Sequence, residues 1–249
     1  MNSLLHIFPK LPNSMKPACI FRQLFDQKTS TYSYLIGDPV SKKAVIIDPV
    51  KEQVDRDMEL IKELGLELEY VFDTHIHADH VTGSGQLRKL TGAKIVMGEG
   101  AKIANPDILL KDGETVYVGT VEIQGLSTPG HTSGCMTFQI ADMLFTGDAL
   151  LIRKTGRTDF QEGSSAHLYD SIMKKLYVLP DETRIFPGHD YTGRTMSTVG
   201  EEKLHNTRIL ATTSREEFES TMRSLKLEYP KYIDVALPAN RRLGMEDEH

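Results

Sequence analysis

The stretch Leu68–His80, LEYVFDTHIHADH, constrains the fold of this 249-residue chain more than any other. Its first half is an apolar run of strand-forming residues. Its second half places His75, His77, Asp79 and His80 within six positions. Such polar groups are costly to bury without partners, so the run reads as a strand whose end delivers a cluster to a loop. The pattern recurs in VEIQGLSTPGH, ending at His131, in MLFTGD, ending at Asp148, and in TRIFPGHD, which contains His189. Five of the nine histidines lie in these strand-end segments.

The order of elements predicts an α/β fold. YSYLIGD and AVIIDP form a hairpin around the turn residues PVSKK. Val54, Met58, Ile61 and Leu64 have helical spacing, and Gly65 ends that helix. A helix from Gly85 to Leu90 and the strand AKIVMG follow. ETVYVG, VEIQGLSTPGH, CMTFQI and MLFTGD form a denser run of strands, and a helix over Ala166–Leu176 precedes TRIFPGHD. Thr198 with Glu201 reads as a capping box opening a helix through Leu210, and Ser214 caps a last helix in SREEFESTMRSL. Rigid strands opening into loops on one rim are a common seat for functional groups.

Composition narrows the classes. The charged fraction of 26% and the net charge of −6 suit a globular enzyme and argue against a nucleic-acid surface. No apolar run approaches the roughly 18 residues of a membrane helix. Two cysteines, Cys19 and Cys135, are too few for a disulfide framework, so a reducing, cytoplasmic setting is expected, or the mitochondrial matrix for a eukaryotic source. Residues 1–20 read as an N-terminal extension with Met15 as an alternative start, and 21–249 as one domain with a C-terminal helical segment.

Taken singly, each polar residue has an ordinary explanation: a histidine before a helix caps it or faces water, and PGH is a turn. Together, in this order, they predict a metal site. Neutral imidazole and carboxylate suit a borderline divalent cation such as zinc or iron. His75 and His77 are two residues apart, so an extended segment aims both to one side, while Asp79 and His80 turn toward a second position.

HIHADH, GHTSG, FTGDAL and PGHDY resemble the metallo-β-lactamase superfamily, which implies an αββα sandwich with a metal site on one rim. Within it, THIHADHVTGSGQLR, GHTSGCMTFQ, LIRKTGRTDFQEGS, FPGHDYTGRTMSTVGEE and IDVALPANRRLG resemble the persulfide dioxygenase family, that of the ethylmalonic encephalopathy protein, over about Phe21–Gly244. That resemblance implies one Fe(II) per subunit on His75, His131 and Asp148, a facial triad with three positions open. The implied reaction oxidises glutathione persulfide with O₂ and water to sulfite and glutathione. His77, Asp79, His80, His189 and Asp48 become supporting residues around the ligands. Arg157, Tyr191 and Arg208 fall near the glutathione, although Thr207 stands where the family usually has proline. A homodimer is implied as well, and Cys135 reads as a buried structural thiol. The alternative is the resemblance to glyoxalase II, a dinuclear zinc hydroxyacylglutathione hydrolase. There His75, His77 and His131 would hold one metal, Asp79, His80 and His189 the other, and Asp148 would bridge.

Overall fold

The computed structural model describes residues 19–245. The expected extension, with Met15, lies outside the described residues except for Cys19 and Ile20. Two six-stranded sheets face each other. The first runs β1 (Ile20–Asp26), β2 (Thr31–Gly37), β3 (Lys43–Ile47), β4 (Glu67–Phe72), β5 (Lys94–Gly98), β6 (Ile108–Leu110). The second, from its far edge, runs β12 (Ser197–Thr198), β11 (Arg184–Pro187), β10 (Met143–Gly147), β9 (Met136–Ile140), β8 (Val121–Ser127), β7 (Thr115–Val118). Helices α1 (Val54–Glu63) and α2 (Ser84–Thr91) belong to the first half of the chain; α3 (Ser165–Ser171), α4 (Val199–His205), α5 (Arg215–Ser224) and α6 (Ile233–Asn240) to the second.

The period of two along the strands divides the core into three layers. In β3, Val45 and Ile47 join the central cluster with Tyr34, Phe72, Phe138 and Phe145, while Ala44 and Ile46 pack outward with Val54, Ile61 and Leu87. In β10, Phe145 faces the other sheet, and Leu144 packs with Leu168, Ile172 and Phe218 of the outer layer. Both faces of the central strands are covered, as the near-continuous apolar runs require. The expected αββα sandwich is the observed fold.

Strand direction explains the site. β3 and β4 are parallel, so their ends bring Asp48 and His75 to one rim. β10 and β11 are also parallel and bring up Asp148 and His189. β8 is antiparallel to β9, which is antiparallel to β10, so β8 runs with β10 and its following loop carries His131 to the same rim. A bridge between Thr31 and His189, with Tyr32 N–H donating to the Gly188 carbonyl at 2.8 Å, ties the two sheets together there.

The sequence reading lacks β1, β6 and β12 and runs the helix after Thr198 too far. β1 is an antiparallel edge strand whose Arg22 and Gln23 obscure the alternation. The helix after Thr198 ends at His205 rather than Leu210, because the Asn206 side chain accepts from the N–H groups of Arg208 and Ile209 and so offers them a partner outside the helix. Its capping box is half made: Thr198 Oγ1 accepts from Glu201 N–H, but the Glu201 carboxylate pairs with Arg153 at 2.7 Å. α3 continues into a π-helical turn over Ile172–Leu176, completing the helix expected there. The apolar IDVALPAN forms α6, with Ile233 and Ala236 buried and Val235 facing solvent. Among the described residues no helix is long and apolar enough to cross a membrane.

Candidate metal centre

His75, His131 and Asp148 each offer a donor atom, and these three lie within 4.8 Å of one another. Their surroundings decide which atoms are free. Asp48, buried with φ at +51°, accepts from Thr74 N–H at 2.7 Å and Thr74 Oγ1 at 2.9 Å. Having given its proton to Asp48, the Thr74 hydroxyl can only accept from His75 Nδ1, 3.0 Å away, which leaves the lone pair on His75 Nε2. His131 Nδ1 donates to the Arg157 carbonyl at 2.8 Å, so its Nε2 is also free, 3.7 Å from Asp148 Oδ2. Burial, with the neighbouring His77 and His131, holds His75 well below its ordinary pKa, in the neutral form a metal needs. Two imidazole lone pairs and a carboxylate oxygen in this space fit a first-row divalent cation.

Gly147 is what lets Asp148 reach the rim. It adopts φ +49°, and a Cβ there would run into the Thr74 hydroxyl. The TGD motif thus combines a left-handed turn with a close approach to the Asp48–Thr74–His75 chain.

The other predicted residues converge beside this trio. His189 Nδ1 donates to Asp148 Oδ1 at 2.8 Å and its Nε2 to Asp79 Oδ2 at 2.6 Å. Facing a carboxylate at each nitrogen, the ring holds both protons; burial opposes the charge, but Asp79 and Asp148 raise its pKa well above the usual value. Asp79 and Asp148 in turn lie below the ordinary carboxylate range, because the histidines outweigh their burial. His80 Nδ1 is 3.0 Å from Asp79 Oδ2, and His77 Nε2 is 3.1 Å from Asp48 Oδ1. Among the described residues, His77 Nδ1 and His80 Nε2 are buried without a hydrogen-bond partner.

The three candidate substrate residues are more dispersed. Tyr191 is exposed, stacks on His189 at 6.1 Å between ring centroids and lines a cavity of about 390 Å³ together with His189, Lys154, Arg194 and His205. Arg157 spans Asp159 with two hydrogen bonds, lies over the Phe160 ring and donates to the Glu228 carbonyl. Arg208 donates to the Thr155 carbonyl. Neither arginine lines that cavity.

The sequence model of the metallo-beta-lactamase superfamily matches residues 27–189. The mitochondrial persulfide dioxygenases ETHE1 of Bos taurus and Homo sapiens are each 48% identical to the chain, across 91% of it and 89% of their own length. The crystal structure of ETHE1 from Myxococcus xanthus superimposes with a TM-score of 0.88 at 52% identity, covering 91% of this chain and all of that one. The chain belongs to the persulfide dioxygenase family of the metallo-beta-lactamase superfamily.

In this persulfide dioxygenase family member, two threonines complete the centre that residue-type reasoning passed over. Thr74 relays Asp48 to His75, and the Thr31 hydroxyl sits 3.2 Å from Asp79 Oδ2 and 3.1 Å from His189 Nε2. Only the position of Thr74 at the head of THIH hinted at a role; nothing near Thr31 did.

The buried charges also make a pH prediction for the metal-free protein. Burial works against protonation of His77, yet Asp48, with Asp79 and Asp73, raises it from 6.5 to about 9. A histidine whose folded pKa is raised gives its full stabilisation below its unfolded pKa and loses it as pH climbs through the folded value. Stability should therefore fall between pH 6.5 and 9, by on the order of 3 kcal/mol from His77, with His189 acting in the same direction. Urea unfolding of chelator-treated protein at the two pH values measures this. A midpoint that stays level or rises contradicts it.

Proposed function

We propose that this enzyme is a persulfide dioxygenase that converts glutathione persulfide, O₂ and water to sulfite and glutathione at one Fe(II) held by His75, His131 and Asp148. The observation that carries this reading is the 48% identity to the persulfide dioxygenases ETHE1 over 91% of the chain, and the chain Asp79–His189–Asp148 supports it. Both nitrogens of His189 face carboxylates, Asp148 Oδ1 and Asp79 Oδ2, as suits a residue that orients a ligand. Iron, when bound, supplies open coordination positions and a redox couple that zinc lacks. The chain's own residues do the rest. Thr74 and the Arg157 carbonyl hold the tautomers of His75 and His131, and Asp148 divides its oxygens between the ligand trio and His189. The cavity beside His189 and Tyr191 offers the basic residues Lys154, Arg194 and His205 to the two carboxylates of glutathione, and Arg157 and Arg208, outside that lining, are the further candidates for it.

The two-zinc thioesterase reading has two observations on its side: His77 Nδ1 and His80 Nε2 are buried without a hydrogen-bond partner, and His77, Asp79 and His80 offer donor atoms within 4.8 Å of one another. The readings part experimentally. The purified enzyme should contain iron and consume O₂ with glutathione persulfide only when ferrous ion is bound. Hydrolysis of lactoylglutathione without O₂ uptake contradicts this. His189→Ala should retain most of the iron, with activity down by about 10-fold to 100-fold, as is common for residues that orient ligands. Loss of all metal in that variant favours two ions. The same reading places the protein in the cytoplasm, or the mitochondrial matrix of a eukaryote, as a homodimer. Light scattering coupled to gel filtration measures the oligomeric state.

A further inference from the structure

The C-terminal helix α6 ends in a buried asparagine whose side chain reaches the loop that carries the histidine cluster. Asn240 is 3% exposed. Its Nδ2 donates to the carbonyls of His77 and His80, both at 2.8 Å, and its Oδ1 accepts from Thr82 N–H at 2.9 Å. These partners lie 158 to 163 positions away in sequence. They also settle the amide's orientation, since only an NH₂ can face two carbonyls and only an oxygen can face an N–H. Aspartate has the acceptor without the donors, and glutamine is a methylene too long.

The loop needs such a partner. Between Phe72 and Ser84 there is no helix or strand beyond an isolated bridge from Thr82 to Val50, so most of its buried carbonyls must be satisfied individually. Ala78 and Asp79 lie between the two carbonyls that Asn240 holds. The amide thus fastens both ends of the turn that aims Asp79 at His80 and His189. The terminal segment is docked independently of this side chain: Gly85 N–H donates to the Leu243 carbonyl and Ala104 N–H to the Arg241 carbonyl. Replacing the amide therefore leaves the segment in place and releases the loop.

The structure assigns to Asn240 the role of a positioning residue for the metal centre. It acts through the main chain of His77, His80 and Thr82 and touches neither the ion nor the substrate. Only the activity arm of its test rests on the dioxygenase reading.

The iron-loaded enzyme is compared with Asn240→Ala and with Ile233→Ala, a packing change on the same helix that breaks no hydrogen bond to the loop. Asn240→Ala should lower kcat by about 10-fold to 100-fold with KM within about twofold, weaken iron affinity by a similar factor, and broaden the electron paramagnetic resonance signal of the ferrous nitric oxide adduct. It should also speed hydrogen exchange at the Thr82 amide. Ile233→Ala should melt earlier yet keep the kcat per iron, the signal and the slow exchange. An Asn240→Ala protein whose kcat per iron and nitrosyl signal match the parent overturns the proposal, whatever its melting temperature. If that variant does not fold, Asn240→Ser is read by the same criteria, and fast exchange of the Thr82 amide in the parent overturns the proposal without any variant. An enzyme without dioxygenase activity would fail the functional reading, while iron affinity and Thr82 exchange would still judge Asn240.

Discussion

His75→Ala is expected to purify with almost no iron and to lose more than about 100-fold of its persulfide-dependent O₂ uptake, exceeding the 10-fold to 100-fold typical of residues that merely support ligands. The reason is the number of donors. With two imidazoles and one carboxylate in the trio, removing His75 leaves it His131 Nε2 and Asp148 Oδ2, 3.7 Å apart. The chain Asp48–Thr74 that holds His75 would remain intact, because Thr74 still donates to Asp48 through its hydroxyl and its N–H. The fold should therefore survive, and circular dichroism should match the parent. Metal analysis and oxygen-electrode rates check the result. A variant that keeps one iron per chain removes His75 from the ligand set.

Gly130→Ala should damage the enzyme in both stability and metal binding. Gly130 adopts φ +141°, outside the range L side chains favour, and a Cβ there would strike the main chain of Leu168 in α3. A helix backbone cannot yield as a flexible side chain can. The same glycine accepts from Ser164 N–H at 2.8 Å and donates to the Thr132 carbonyl at 2.9 Å, so the loop carrying His131 is built around it. The expected cost is about 3 kcal/mol or more, a fall in Tm of roughly 6–12 °C for a chain of this size. His131, whose ring packs 4.9 Å from that of His75, should be displaced, and iron should bind more weakly. Calorimetry and metal titration measure the two effects. An unchanged Tm with full metal content rules out this view of the PGH turn.

Much of this was legible before any coordinates. The apolar runs ending in HIHADH, PGH, TGD and PGHD are short-range patterns, and local chemistry controls where strands stop and helices are capped. Ser214 forms the full capping box with Glu217, because a side chain three residues from its partner needs no tertiary support. The helix after Thr198 ends before its spacing suggests because Asn206 Nδ2 donates to the Lys154 carbonyl, 52 positions away, a contact that comes from folding rather than from spacing. β1 is not legible from alternation because an edge strand exposes one side and need not alternate cleanly.

The sequence alone determined the kinds of donor present, histidine and aspartate at strand ends, since residue chemistry and period are local properties. Which nitrogens keep their lone pairs, that His189 is enclosed by two carboxylates, and that an asparagine near the C-terminus holds the metal loop were decided only by the tertiary structure. Those outcomes depend on hydrogen bonds between residues far apart in the chain, and such pairings exist only once parallel strands have brought their ends to one rim.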